Sequence, residues 1–202
     1  MTTSDDGRCP WAGGSETMIR YHDTEWGFPV GDDRTLFEKI CLEGFQSGLS
    51  WSTILNKRNA FREVFFDFEP ARVAAMGERD VERLLGDARI VRHRGKIEST
   101  IRNAGRVADL VDEFGSLTDY VWRFEPQPRN HALPWDEIRL LTTSPESVAL
   151  SKDLKRRGWS FVGPTTMYAF MQSMGLVNDH ADTCPIRARV VEARSAFGRI
   201  GR

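Results

Sequence analysis

The chain lacks the features that would send a protein out of the cell or into a membrane. It has three cysteines in 202 residues, no apolar amino-terminal stretch and no run of about 18 apolar residues. These absences argue against a disulfide framework, secretion and a membrane span. The expectation is a cytoplasmic protein whose thiols stay reduced and available to a metal. Charge of one sign is not in excess either: 28 basic and 29 acidic residues leave a net charge of −1, so overall charge does not advertise nucleic acid. Strand alternation, internal repeats and low-complexity tracts are also missing. With 40% hydrophobic residues, the composition is that of a globular protein with a sizeable core, in one domain or two small ones packed together.

Helical periodicity runs through almost every segment. Thr35 and Glu38 have capping-box spacing, ahead of Leu36, Phe37, Ile40 and Cys41 on one face. Trp51, Ile54, Leu55, Phe61, Val64 and Phe65 predict a second helix, broken near Asn59. Pro70 opens a short helix through Val73 and Met76, and residues 79–85 continue after Gly77. A long helix over 95–114 turns Ile97, Ile101, Ala104, Val107, Ala108 and Val111 inward, and 116–124 predicts a short one. Residues 125–141 hold three prolines and read as an exposed connection. Ser144 and Pro145 supply an N-cap and a first-turn proline for a helix reaching Arg157. A further helix carries Met167, Phe170, Met171 and Met174. The fold class expected is all-α.

Three groups of residues carry chemistry. The first is Cys9 with His22, and His180 with Cys184, a quartet suited to tetrahedral zinc. Ligands from both ends would close most of the chain into one loop, and four protein ligands leave no open position for a catalytic metal. The other reading is of scattered core cysteines and surface histidines. Cys41 reads as a small core residue, and His93 and His131 as solvent-facing.

The second group is Arg157-Gly-Trp-Ser-Phe-Val-Gly-Pro164 between two helices. Gly158 suits a left-handed C′ position, Gly163 permits close backbone approach, and Thr165 and Thr166 flank helix-start amides that would bind a phosphate oxygen. Such a hairpin grips a DNA backbone without reading sequence; the alternative is an ordinary αα-hairpin. Arg89, Arg92, Arg94 and Lys96 form one basic cluster and Lys152, Lys155, Arg156 and Arg157 another, which as solvated faces favour DNA only weakly.

The third group surrounds Glu43. Tyr21, Trp26 and Trp51 lie nearby in sequence, with Trp11 just after Cys9. An acid among aromatics suits a flat cationic or electron-poor ring. Alternatively, the tryptophans fill the core and Glu43 pairs with an arginine.

Read together, Arg8-Cys-Pro-Trp11, Tyr21-His-Asp-Thr-Glu-Trp-Gly27, Cys41-Leu-Glu-Gly44, Gly48-Leu-Ser-Trp51, Ile90-Val-Arg-His-Arg-Gly-Lys-Ile97, Leu154-Lys-Arg-Arg-Gly-Trp-Ser-Phe-Val-Gly163 and Gly175-Leu-Val-Asn-Asp-His180 resemble the 3-methyladenine DNA glycosylase I family of helix–hairpin–helix repair enzymes. The resemblance implies one compact all-α unit over 1–186, with the helix–hairpin–helix at about 146–174; the stretch over 187–202, arginine-rich where the family pattern is cysteine-rich, reads as a basic tail or frayed helix. It implies a monomer that flips N3-methyladenine out of double-stranded DNA and excises it by hydrolysis. One structural Zn2+ would be held by Cys9, His22, His180 and Cys184. Glu43 would hydrogen-bond the base, Tyr21 and Trp51 would stack on its faces, and Trp11 and Trp26 would lie close by. Gln46 to Leu49 would press into the gap left by the flipped nucleotide. Phe45 departs from the family pattern, which has glutamine there, and so bears on the wedge and on pocket width. Three alternatives remain: a zinc-stapled DNA-binding module without activity, a zinc hydrolase, and a glycosylase of the same fold with another range of alkylated bases.

Overall fold

A computed structural model describes residues 6–129 and 131–198. Among the described residues there are eleven α-helices and no strand. They are α1 (Glu16–Thr24), α2 (Asp33–Gln46), α3 (Trp51–Val64), α4 (Pro70–Ala74), α5 (Glu78–Leu85), α6 (Arg94–Phe114), α7 (Leu117–Trp122), α8 (Trp135–Ile138), α9 (Pro145–Arg156), α10 (Pro164–Ser173) and α11 (Ile186–Phe197). None is long and apolar enough to cross a membrane.

Helix α2 is the axis of the fold. Every residue from Leu36 to Phe45 is buried, because α3, α6, α7 and α10 pack around it. A helix covered on all sides must be apolar all round, and the three charged side chains in that run have to be paired. The start of α2 is set by Asp32, whose carboxylate accepts from the Thr35 amide. Thr35 is therefore not the cap. Glu38 accepts hydrogen bonds from Arg62 of α3 instead of closing a capping box.

Other expectations shift in the same way. Helix α3 runs unbroken through Asn59. In α6 the apolar buried face is Ile97, Ala104, Val107 and Leu110, while Ala108 and Val111, expected to face inward, are exposed. The helical period brings Leu110, one turn after Val107, onto the core. The 125–141 segment is not merely a connection: it contains α8, whose Ile138 is buried. The arginine-rich end expected to fray is helical through Phe197, with Ile186 and Val190 buried. Phe197 packs on Trp122, Arg194 pairs with Glu125, and the Arg187 guanidinium donates to the carbonyls of Asn178 and His180. The last four residues of that expected tail, 199–202, lie outside the described residues.

Two clusters of buried side chains result. The larger surrounds α2; the smaller joins Cys9, Tyr21, Trp26, Ile138, Cys184 and Val190. Trp51 packs against both. Gly175, at φ +78°, lets the chain turn after α10, where a Cβ would lie 2.5 Å from the Phe28 carbonyl carbon and the Pro29 nitrogen. Only glycine tolerates that approach in that conformation.

Candidate functional site: a Cys2His2 cluster beside an aromatic cavity

Cys9, His22, His180 and Cys184 come together. All four are buried, and their ligand atoms lie within 4.8 Å of one another. Cys184 Sγ is 3.6 Å from His22 Nε2 and 3.4 Å from His180 Nδ1, and Cys9 Sγ is 3.8 Å from His180 Nδ1. Bonds of about 2.3 Å to sulfur and about 2.0 Å to nitrogen at the tetrahedral angle put S and N about 3.5 Å apart. The three distances lie within about 0.3 Å of that value, so the group could hold a metal ion.

The outer contacts fix both imidazoles. His22 Nδ1 donates to Asp23 at 2.7 Å, and Arg8 holds that carboxylate with three hydrogen bonds. His180 Nε2 donates to the Trp26 carbonyl at 2.9 Å. Each ring therefore turns its other nitrogen, Nε2 of His22 and Nδ1 of His180, toward the sulfurs. Gly27 makes room for this, since a Cβ there would meet His180 Nε2 at 3.1 Å. The Cys9 thiol is pushed up by its hydrogen bond to Cys184 and by burial, whereas Cys184 is drawn down by its bonds with Cys9, His180 and His22. A cation held by both sulfurs would displace the Cys9 proton and offset the charge of two thiolates.

Two tryptophans link this cluster to a cavity. Trp11 meets the His22 ring edge-on at 5.3 Å, and Trp26 meets His180 at 4.7 Å. Both line a cavity of about 440 Å³ with Met18, Tyr21, Glu43, Gln46, Ser50, Trp51, Trp135, Ile138, Arg139 and Gln172. The five aromatic and acidic residues expected of a base pocket are thus gathered in one place. So is Gln46, and Leu49 stands exposed just beyond, in the loop from α2 to α3.

Two details differ from expectation. Tyr21 and Trp51 have ring centroids 5.1 Å apart at 42°. A purine sandwiched between two rings needs about 7 Å, twice a carbon contact distance. The two rings touch each other and leave no slot for a purine between them. Phe45 also does not line the cavity and so does not set its width: it is buried against Phe61 and Phe65.

Glu43 is 5% exposed and its partner is a lysine, not an arginine. Lys39 Nζ lies 3.0 Å from Glu43 Oε1 and donates to the Tyr21 hydroxyl at 2.8 Å. It also sits 3.2 Å from the Trp51 ring centroid. Burial draws the Lys39 pKa down and Glu43 opposes it. Burial, with Glu43 adding to it, pushes the Tyr21 phenol well up. The sequence reading missed Lys39, although a lysine one turn before an acid in an otherwise apolar helix was the available signal. It also missed Trp135, Ile138 and Arg139, which no periodicity marks.

The hairpin between α9 and α10 packs against the end of α2, where a Cβ on Gly44 would approach Phe161 to 3.2 Å. Gly158 has φ +85° as its C′ role requires, and Gly163 is the N-cap of α10, with Pro164 in the first turn. No side chain caps α10, and beside its first amides Thr165 is exposed and Thr166 half-buried. The inner side of the loop is satisfied from elsewhere: Asn103 bonds both the amide and the carbonyl of Ser160, and Ser151 donates to the Val162 carbonyl. Of the basic residues, Arg157 is held by Glu113 and Asp153, Arg156 by Asp153, Arg89 by Glu63 and Asp87, and Arg94 by Glu78 and Glu82. Lys96 reaches back to the carbonyls of Phe45 and Ser47 and ties down the end of α2. Arg92, Lys152 and Lys155 remain exposed.

The family profile described as methyladenine glycosylase matches residues 11–188. The chain belongs to that family. It is 50% identical over 179 residues to the DNA-3-methyladenine glycosylase 1 of Escherichia coli, covering 88% of this chain and 95% of the relative. It is 45% identical over 189 residues to the DNA-3-methyladenine glycosylase of Haemophilus influenzae, covering 93% and 99%. The solved structure describing 3-methyladenine recognition by 3-methyladenine DNA glycosylase I of Staphylococcus aureus superposes with a TM-score of 0.85 at 33% identity, over 91% of this chain and 98% of that one.

Proposed function

We propose that the protein excises 3-methyladenine from alkylated DNA as a hydrolytic DNA repair glycosylase, with Glu43 as the residue that holds the base. The observation that carries this reading is a buried carboxylate in an aromatic cavity of about 440 Å³ within a methyladenine glycosylase fold. Methylation at N3 makes adenine a cation and a good leaving group, so little general-acid help is required. The work is to extract the nucleotide and to stabilise separating charge. Glu43 accepts a hydrogen bond from the base edge, and Trp51, Tyr21, Trp11 and Trp26 supply faces and edges for the ring. As the C1′–N9 bond breaks, its electron pair stays on N9 and the base leaves neutral. Water adds to the oxocarbenium-like C1′ and gives up a proton.

The protein engages double-stranded DNA as a monomer in the cytoplasm. The segment at about 146–174 acts as a helix–hairpin–helix: Gly158 and Gly163 shape the loop, and the α10 amides with Thr165 and Thr166 hold a phosphate. Gln46 and Leu49 fill the gap left by the flipped nucleotide. One Zn2+ is held by Cys9, His22, His180 and Cys184 and supplies a cross-link only, since four protein ligands complete its tetrahedron.

The test is Glu43→Gln. Release of 3-methyladenine from methylated DNA should fall by about 100-fold or more, measured on protein whose circular dichroism shows it folded, since the buried Lys39 loses its anionic partner. Wild-type release would refute the assignment of Glu43.

A further inference from the structure

Lys39 is a buried charge that base recognition does not call for. It leaves α2 one turn before Glu43, so both side chains project from the same helical face. Its side chain is 6% exposed. The ammonium touches three of the groups assigned to the base: Glu43 Oε1 at 3.0 Å, the Tyr21 hydroxyl at 2.8 Å and the face of Trp51 at 3.2 Å from its centroid. The other charges near it, Glu25 and Arg58, are paired with each other. Glu43 lines the cavity while Lys39 does not, so the ammonium lies in the wall, behind the carboxylate and the rings.

A lone carboxylate holds a cationic base in the ground state and resists the loss of its positive charge. Binding of that kind tightens the substrate without lowering the barrier. A cation fixed behind the carboxylate acts the other way. Cleavage moves one positive charge from the base to the sugar, so a nearby ammonium destabilises the charged base and favours the neutral one that leaves.

We propose that Lys39 is a specificity-determining, positioning residue: its ammonium, set behind Glu43, Tyr21 and Trp51, weakens the hold on a cationic base and speeds departure of the neutral one. The proposal rests on the reading of this cavity as the base site. It follows that the lysine exchanges affinity for rate, and that it lessens the cavity's preference for charged over neutral bases.

Lys39→Met, which keeps length without charge, is the test. Binding of 3,9-dimethyladeninium, a permanent cation, and of neutral 9-methyladenine is measured by tryptophan fluorescence. The cation-to-neutral affinity ratio should rise about tenfold over wild type. The single-turnover excision rate on DNA carrying 3-methyladenine should fall about tenfold. Lys39→Gln, which keeps hydrogen bonds to Glu43 and Tyr21, should move both readouts the same way and serves if the methionine variant does not fold. Lys39→Arg should retain the wild-type ratio. An unchanged ratio in the methionine or glutamine variant, or an unchanged rate, overturns the proposal. Glu43→Gln run alongside separates the two failures: if it excises normally, the cavity itself is misassigned. If it is impaired while Lys39→Met leaves the ratio unchanged, only the role of Lys39 falls.

Discussion

The Cys2His2 cluster and the aromatic cavity share Trp11 and Trp26, yet their polar groups are treated in opposite ways. In the cluster, each imidazole has its outer nitrogen engaged, by Asp23 and by the Trp26 carbonyl, and the Ala181 amide donates to Cys9 Sγ. No polar edge is left over for a substrate. In the cavity, Glu43 is held from behind by one lysine, and the wall around it is mostly ring and aliphatic surface. A site saturated from within is suited to holding the chain together. A site satisfied only from behind is suited to receiving a ligand. The tryptophans between them mean that the clip also sets one wall of the cavity.

That contrast breaks most visibly at a ligand. Cys184→Ala should lose bound zinc by elemental analysis and lower Tm by about 10 °C or more, because structural zinc contributes folding energy and a chain of this size shifts about 2–4 °C per kcal/mol. The fraction that stays folded should keep its rate of base release. Folded protein with an abolished rate would erase the distinction between clip and cavity. Glu43→Gln, by contrast, should keep the metal and lose base release.

A smaller effect comes from the outer contacts. Asp23→Asn removes the carboxylate that orients His22 and should weaken zinc binding about 10–100-fold in competition with a chelator. Excision at saturating zinc should be unchanged. A loss of excision that excess zinc does not restore would show that Asp23 serves the cavity rather than the clip.

The smallest effect tests the hairpin, which belongs to neither region. Burial works against ionisation of Asp153, but hydrogen bonds from Arg156, Arg157 and Tyr120 outweigh it and bring its pKa down to about 2 from an ordinary 3.8. A lowered carboxylate stabilises the fold above its unfolded value and loses that contribution as pH falls through the folded one. Stability curves of wild type and Asp153→Asn should therefore be separate above pH 4 and converge as pH drops toward about 2. Parallel curves across that range would mean that Asp153 does not anchor the base of α9.

How much of this was legible depended on the rarity and setting of each residue. Cysteine and histidine are scarce in the chain, so four of them in two pairs stood out. The capped start of α9 and the glycines at 158 and 163 were legible because turn chemistry is local. Lys39 was hidden because a lysine in a helix ordinarily faces water, and only the packing of α3, α6, α7 and α10 around α2 encloses it. Residues 135–139 carry no period, and their place on the cavity rim depends on where the chain returns. Phe45, expected to bear on pocket width, sits on the last turn of α2, turned into a phenylalanine cluster, an orientation that only the packing of α2 against α3 sets.

The sequence by itself determined the helical class, the four metal-ligand candidates, the glycine-bounded turn between α9 and α10 and the acid among aromatics, because period, capping and residue type act over a few neighbours. The tertiary structure decided which faces α2 buries, that Tyr21 and Trp51 touch rather than leave a slot, and that Glu43 shares its charge with Lys39. Those outcomes depend on groups brought together across the whole chain, where burial and distance set the strength of each interaction.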